Sequence, residues 1–256
     1  MTAIFLSDVH LHDGQGLKTQ LVLRFLREVA ARHEHIYVLG DLFDVWPGTT
    51  RYLKERFRPV VDVFRGLVRD GHVVHYVEGN HDFCLGEFFR DELGVHVHPD
   101  GLEQRFGDKR AYLAHGDLGN PDAQNYARLR RVLRSDWLHG ALRILPDRLT
   151  YELGATWSRW SRAAETRRPQ TNERHARVRD IYRRTAERLF GQGYDVVVFG
   201  HTHLPDDYRV VVDGRPCRYV NLGDWVRHFT YLEFDGSDFY TKSHAVKDDA
   251  RMLMAR

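Results

Sequence analysis

Cysteine is nearly absent: Cys84 and Cys217 are the only two in 256 residues. Two isolated thiols build no disulfide framework and fit no zinc spacing, so a reducing, cytoplasmic setting is expected. No apolar run approaches the roughly 20 residues of a spanning helix, which leaves only peripheral contact with a membrane. The opening Thr2-Ala3-Ile4-Phe5-Leu6 lacks the basic region and length of a secretory leader, and none is expected. Internal repeats and low-complexity linkers are missing too. Hydrophobic residues at 42% and charged residues at 29% exclude a disordered chain. Lysine is missing where positive charge concentrates. Between Arg128 and Arg188 stand sixteen Arg, no Lys and seven acidic residues, a local charge of +9 that leaves −7 for the rest of a +2 chain. Such a segment predicts contact with an anion, whether phosphate, nucleic acid or an anionic membrane face; the alternative is a solvated helical face.

What is present reads as α/β. Ala3–Leu6 is strand-like and runs into Ser7-Asp8-Val9-His10. Leu17–Arg32 has helical spacing, with Leu21, Phe25, Leu26 and Val29 on one face. Ile36–Leu39 is a second strand ending at Gly40-Asp41, Tyr52–Arg69 a second helix, and Val73–Val77 a third strand ending at Gly79-Asn80-His81-Asp82. Ala111–Leu113 leads to His115-Gly116-Asp117. From about Ala123 to Phe190 only helical periodicity is found, with Trp137, Trp157 and Trp160 inside it. Asp195–Phe199 resumes as strand before Gly200-His201-Thr202-His203, and the tail alternates in hairpins turning at Asp213-Gly214 and Asp235-Gly236. The expected organisation is a core of residues 1–121 and 190–256 interrupted by a helical cap at 122–189.

Each polar cluster alone has a bland explanation: a surface turn at Asp8/His10, a helix cap at Asp41, two loop histidines at His201/His203. Together they place N and O ligands on five successive strand-end loops, where α/β sheets gather their ligands. Carboxylate, imidazole and amide without thiolate suits Mn, Fe, Zn or Ni rather than a structural zinc. Two metals at roughly 3.5–4 Å need a shared ligand, and a carboxylate can bridge; Asp41, central in the set, is the natural candidate.

The ordered set Asp8-x-His10, Gly40-Asp41, Gly79-Asn80-His81-Asp82, His115 and Gly200-His201-x-His203 resembles the calcineurin-like metallophosphoesterases. That resemblance implies a four-layer αββα sandwich carrying two divalent ions. Asp8, His10, Asp41 and His203 would hold one ion; Asp41, Asn80, His115 and His201 would hold the other. His81, not needed as a ligand, is free to donate to the phosphate or the leaving group, with Asp82 as the acid that orients it or as a plain loop acid.

Phe5-Leu6-Ser7-Asp8-Val9-His10-Leu11, Gly40-Asp41-Leu42-Phe43-Asp44-Val45-Trp46 and Leu222-Gly223-Asp224-Trp225 resemble one branch, the bacterial UDP-2,3-diacylglucosamine pyrophosphatases of lipid A assembly. The branch implies Mn²⁺, release of UMP and 2,3-diacylglucosamine 1-phosphate, and a cap that houses acyl chains. Trp137, Leu138, Leu142, Leu145, Leu149, Trp157 and Trp160 would line that chamber, or pack as ordinary helix contacts. Asn80, His81, Asp122, Tyr126, Arg130 and Arg162 are the implied substrate contacts, and an Arg-rich cap suits an anionic inner-membrane face. Two departures stand out: His81 replaces the Arg common in the branch, and its late-cap Ser/Asn/Lys pattern is not evident in residues 167–173. The competing expectations are a soluble phosphodiesterase or phosphatase acting on a nucleotide or another phospholipid, a nucleic-acid-binding protein, and a non-catalytic metal scaffold. No nucleic-acid recognition module is visible, and every implied ligand is present.

Overall fold

Alternation within single strands decides the layering. In the first strand, β1 (Ala3–Leu6), Ala3 and Phe5 join one apolar cluster while Ile4 and Leu6 join another on the opposite face. The computed structural model describes residues 1–142, 144–166 and 171–244, with the backbone alone at positions 87, 136, 139, 141 and 161–166. The other strands are β2 (His35–Leu39), β3 (Trp46–Pro47), β4 (Val73–Val77), β5 (Asp82–Phe83), β6 (His96–His98), β7 (Leu102–Phe106), β8 (Lys109–Leu113), β9 (Val196–Phe199), β10 (Asp206–Val212), β11 (Arg215–Asn221), β12 (Thr230–Phe234) and β13 (Phe239–Ser243). Helices are α1 (Leu17–Glu28), α2 (Arg51–Arg56), α3 (Arg58–Arg69), α4 (Gln124–Leu133), α5 (Asp136–Leu142), α6 (Asp147–Thr166) and α7 (Asn172–Gly191).

A six-stranded sheet runs β13-β12-β1-β2-β4-β6 and a five-stranded sheet β10-β11-β9-β8-β7, with β3 and β5 a separate pair. β1, β2, β4 and β6 are parallel, as are β8, β9 and β11. Phe5, Tyr37, Leu39 and Val77 meet Leu113, Val198, Val220 and Leu222 between the sheets. The outer face of the first sheet, through Ile36, Val38 and Tyr76, packs on Val22, Phe25, Val60 and Phe64 of α1 and α3. The outer face of the second, through Val197, Phe199 and Tyr219, packs on Tyr182, Ala186 and Phe190 of α7. The result is the expected αββα sandwich.

Three differences from the sequence expectation have local causes. The long helix over Tyr52–Arg69 breaks at Phe57, because Pro59 occupies the first turn of α3 and offers no N–H to a preceding turn. The helix expected to reach Arg32 stops at Glu28, and Ala30–Arg32 tightens into a single 3₁₀ turn. The helix closing the insertion is shared: α7 buries Tyr182, Ala186 and Phe190, one helical turn apart, against the second sheet, and so supplies a core layer from inside the 122–189 span. The hairpin at Asp213-Gly214 is as expected, with φ of 49° and 75° at its two central residues.

Candidate metal centre

All five polar loops lie at carboxyl ends of strands on one edge of the two sheets, and their side chains converge. His203 Nε2 lies 3.5 Å from Asp8 Oδ1 and 3.4 Å from His10 Nε2, while His10 Nε2 is 3.8 Å from Asp41 Oδ2. On the other side, His115 Nε2 is 3.5 Å from the same Asp41 oxygen and 2.9 Å from Asn80 Oδ1; His201 Nδ1 is 2.9 Å from Asn80 Oδ1 and 3.3 Å from His115 Nε2. The seven candidate ligands therefore gather in one cluster with Asp41 between His10 and His115, and among the described residues the sets Asp8/His10/His203, Asp8/Asp41/His115 and His10/Asp44/His81 are spaced closely enough to hold an ion.

The loops are bent hard to achieve this. Asp8, His10, Asp41, His201 and His203 hold left-handed φ between 52° and 66°. That region is costly for residues with a Cβ, and such strain concentrates at functional sites. Two glycines are obligatory for close approach: a Cβ at Gly79 would collide with the Asp41 carboxylate and backbone N, and one at Gly200 with Ser7 and the Asp8 carboxylate.

The donor set fits divalent cations. Atoms bound at about 2.1 Å around one ion sit roughly 3–3.5 Å from each other, and the contacts here, at 2.9–3.8 Å, lie close to that spacing. Asp8 Oδ1 is buried and lacks a hydrogen-bond partner among the described residues. His115 Nδ1 faces the Leu39 carbonyl at 2.9 Å, and a carbonyl only accepts, so Nδ1 carries a proton and Nε2 is the nitrogen turned to the cluster, able to ligate once its own proton is given up. Burial lowers the His10 pKa well below its usual value and that of His201 to about 4, so both rings are neutral and able to donate a lone pair. Burial also opposes charge on His115, but Asp41, Asp8 and Asp117 outweigh it and push the pKa up to about 10. Burial likewise works against the Asp41 carboxylate, yet His115 and His81 hold it well below the ordinary range. This is the electrostatic signature of negative charge collected to receive a cation.

His81 stands at the rim, its ring 4.9 Å from that of His10 and edge-on to it. Its Nδ1 is 2.9 Å from the Asp44 backbone carbonyl and 3.2 Å from Ser158 Oγ, while its backbone N–H donates to Asp41 Oδ1 at 2.9 Å. Asp82 does not orient it. The Asp82 carboxylate is fully buried and points the other way, accepting from the backbone N–H groups of Asp41 (2.9 Å), Gly79 (3.0 Å) and Phe43 (3.1 Å) and from the Tyr76 hydroxyl (2.5 Å). It splints the Asp41 loop to the Gly79 turn.

The structure brings only some of the implied substrate contacts to the cluster. Asn80 is within the cluster. Tyr126 donates to Asp117 at 2.6 Å and its ring lies 6.4 Å from that of His201. Arg130 is committed to Asp117 (2.8 Å), Asp100 (2.7 Å) and the Pro99 carbonyl (2.8 Å). Asp122 is exposed beside Arg184 and Arg188. The Arg162 side chain lies outside the described residues. Part of the insertion's basic surplus is thus structural: Arg130 with Asp117, Arg134 with Glu78 (3.1 Å) and Arg183 with Asp206 (2.6 Å) tie cap to core. The apolar cap residues divide into two sets. Trp137 and Trp160 are each 75% exposed and Trp157 57%, with Leu149 and Leu153 also exposed, while Leu138, Leu142 and Leu145 are half-buried.

Sequence reasoning assigned no role to Asp224, Asp117 or Asp44. Asp224 Oδ2 lies 3.6 Å from His203 Nδ1, and its other oxygen accepts from the backbone of Val226, Arg227 and His228. A carboxylate behind a ligating imidazole fixes tautomer and ring orientation. Its signal was the Gly223-Asp224 pair, following a strand as the other site loops do.

The model of the calcineurin-like phosphoesterase family matches residues 1–205. With the site geometry above, the chain belongs to the calcineurin-like phosphoesterase family and is a metal-dependent hydrolase. Among its relatives, the UDP-2,3-diacylglucosamine hydrolase of Pseudomonas aeruginosa (strain UCBPP-PA14) is 32% identical over 238 residues, covering 93% of this chain and 96% of that protein. Proteins of the same name from Aromatoleum aromaticum (31% over 240 residues, 93% of this chain and 94% of the relative) and Aeromonas salmonicida (30% over 233 residues, 91% and 89%) are similar to the same extent.

Proposed function

We propose that the chain hydrolyses the pyrophosphate of UDP-2,3-diacylglucosamine, releasing UMP and 2,3-diacylglucosamine 1-phosphate in lipid A assembly. The carrying observation is that relatives bearing that activity in their names align over 93% of the chain, so core and cap are matched together. The cap has the surface such a substrate wants. On α6, Leu149, Leu153, Trp157 and Trp160 recur at helical spacing as an exposed apolar stripe, beside an arginine surplus suited to phosphate oxygens. The same combination suits peripheral contact with an anionic inner-membrane face; among the described residues no helix is long and apolar enough to cross a membrane.

Asp8, His10, Asp41 and His203 are the ligands proposed for one divalent ion, and Asp41, Asn80, His115 and His201 for the other, with Mn²⁺ as the native metal. Such a pair supplies an acidified water and neutralises charge on the phosphoryl oxygens. The protein's own part is orientation. Asp224 and the Leu39 carbonyl set the rings of His203 and His115. The Asp44 carbonyl keeps a proton on His81 Nδ1, which leaves Nε2 as the nitrogen to serve a phosphoryl or leaving oxygen. Asn80, His81, Asp122, Tyr126, Arg130 and Arg162 are the proposed substrate contacts.

The test is UMP release from UDP-2,3-diacylglucosamine by Mn²⁺-loaded protein, beside the deacylated UDP-sugar. Release from the acylated compound alone supports the reading and makes the cap an acyl-binding surface. Release from neither, with turnover of a simple phosphodiester, refutes the substrate and leaves the phosphoesterase.

A further inference from the structure

α6 presents two different faces. Thr150, Tyr151, Gly154 and Ser158, spaced by helical turns, are buried or half-buried; Leu149, Leu153, Trp157 and Trp160 meet solvent. The Tyr151 ring lies 5.3 Å from that of Tyr52 and receives the Arg56 guanidinium at 4.7 Å. Gly154 lets the helix sit so close that an added Cβ would be 2.6 Å from Val45 Cγ1. One turn on, Ser158 is 1% exposed, although Trp157 beside it is 57% exposed. A serine hydroxyl this buried needs hydrogen-bond partners.

Those bonds lead into the site. Ser158 Oγ is 3.0 Å from Asp44 Oδ1 and 3.2 Å from His81 Nδ1. Donor and acceptor chemistry orders the protons along these contacts. The Asp44 carbonyl, 2.9 Å from His81 Nδ1, only accepts, so Nδ1 bears hydrogen. Ser158 then accepts a share of that N–H and donates its own hydrogen to the Asp44 carboxylate. The hydroxyl closes a chain from carboxylate to imidazole, and it is supplied by the cap.

We infer that Ser158 is a positioning residue: seated by α6, its hydroxyl joins the Asp44 carboxylate to His81 and fixes the ring that faces the substrate, so that His81 is correctly aimed only when the cap helix is docked. This rests on the reading of His81 as the group that donates to the phosphoryl or leaving oxygen. It makes cap seating a condition of chemistry as well as of substrate capture.

The experiment is a double-mutant cycle on the Mn²⁺-loaded full chain, with bis(p-nitrophenyl) phosphate as the probe so that the glycolipid assignment is not involved. Ser158→Ala should lower kcat about tenfold with KM changed by less than about threefold, because orientation rather than binding is lost. In a His81→Ala background the same substitution should have no further effect, since the ring it aims is gone. Ser158→Thr, which keeps a hydroxyl, should restore most of the rate, and bound Mn²⁺ should match wild type throughout. Multiplying effects of S158A and H81A, or an S158A kcat equal to wild type beside a slow H81A, would overturn the role given to Ser158. A wild-type rate in H81A would instead remove the reading of His81 on which it stands.

Discussion

Replacing Asp82 separates a structural carboxylate from a catalytic one. Asp82 to Ala removes the acceptor for three buried backbone N–H groups, at Asp41, Phe43 and Gly79, and for the Tyr76 hydroxyl. A buried donor left unpaired costs about 1–3 kcal/mol, so four would cost about 4–12 kcal/mol if no water entered. Water admitted to the vacated space returns part of this, and a loss of about 3–5 kcal/mol is expected, at the severe end for a single substitution. Asp82→Asn keeps the shape and one acceptor oxygen for the Asp41 and Gly79 donors, and should lose only about 1–2 kcal/mol. Urea unfolding followed by circular dichroism measures both, with an unchanged slope required for comparison. Because Asp82 touches no reacting group, folded D82N should keep kcat within about tenfold of wild type, whereas His81→Ala should fall about 10²–10⁴-fold. If D82A unfolds at the wild-type urea concentration while its kcat falls as far as that of H81A, the structural assignment of Asp82 is wrong.

Two further outcomes follow from the same geometry. Asp224→Asn should weaken Mn²⁺ binding about 10–100-fold by releasing the His203 ring, measured by metal titration; unchanged affinity would sever Asp224 from the site. His75, packed among His35, His96 and His98, is held to a pKa of about 3 by burial and then by those neighbouring rings. The unfolded chain takes up that proton near pH 6.5 and the folded chain does not. Stability should therefore fall as pH drops from 6.5 towards 3, by up to about 1.4 kcal/mol per pH unit from this residue. Between pH 7 and pH 5, urea unfolding should show His75→Phe losing up to about 2 kcal/mol less than wild type. Equal losses would contradict the assignment.

Much of the site was legible because ligand chemistry leaves its mark at strand ends. Asp8, His10, Asp41, Asn80, His115, His201 and His203 each follow an apolar run, and the fold converges such positions on one sheet edge. The orientation of Asp82 was not legible. Neighbours in extended backbone point to opposite sides, so the residue next to His81, starting β5, is turned away from it. The partner His81 does use is the Asp44 carbonyl, and a carbonyl leaves no trace in residue type. Ser158 was hidden for a related reason: one serine in a helix has no pattern until the helix is docked. The place of α7 was readable after all, since Tyr182, Ala186 and Phe190 recur every four residues; the arginines between them masked the stripe.

The proposed pair of cations is joined through Asp41, whose Oδ2 stands 3.8 Å from His10 Nε2 and 3.5 Å from His115 Nε2. Counting bound Mn²⁺ by mass spectrometry while recording its electron paramagnetic resonance tests this directly, in wild type and in Asp41→Asn. Two Mn²⁺ per wild-type chain with an exchange-coupled spectrum, and loss of that coupling in D41N, is the outcome the account requires. One Mn²⁺ per fully loaded wild-type chain, or coupling that survives in D41N, would contradict it.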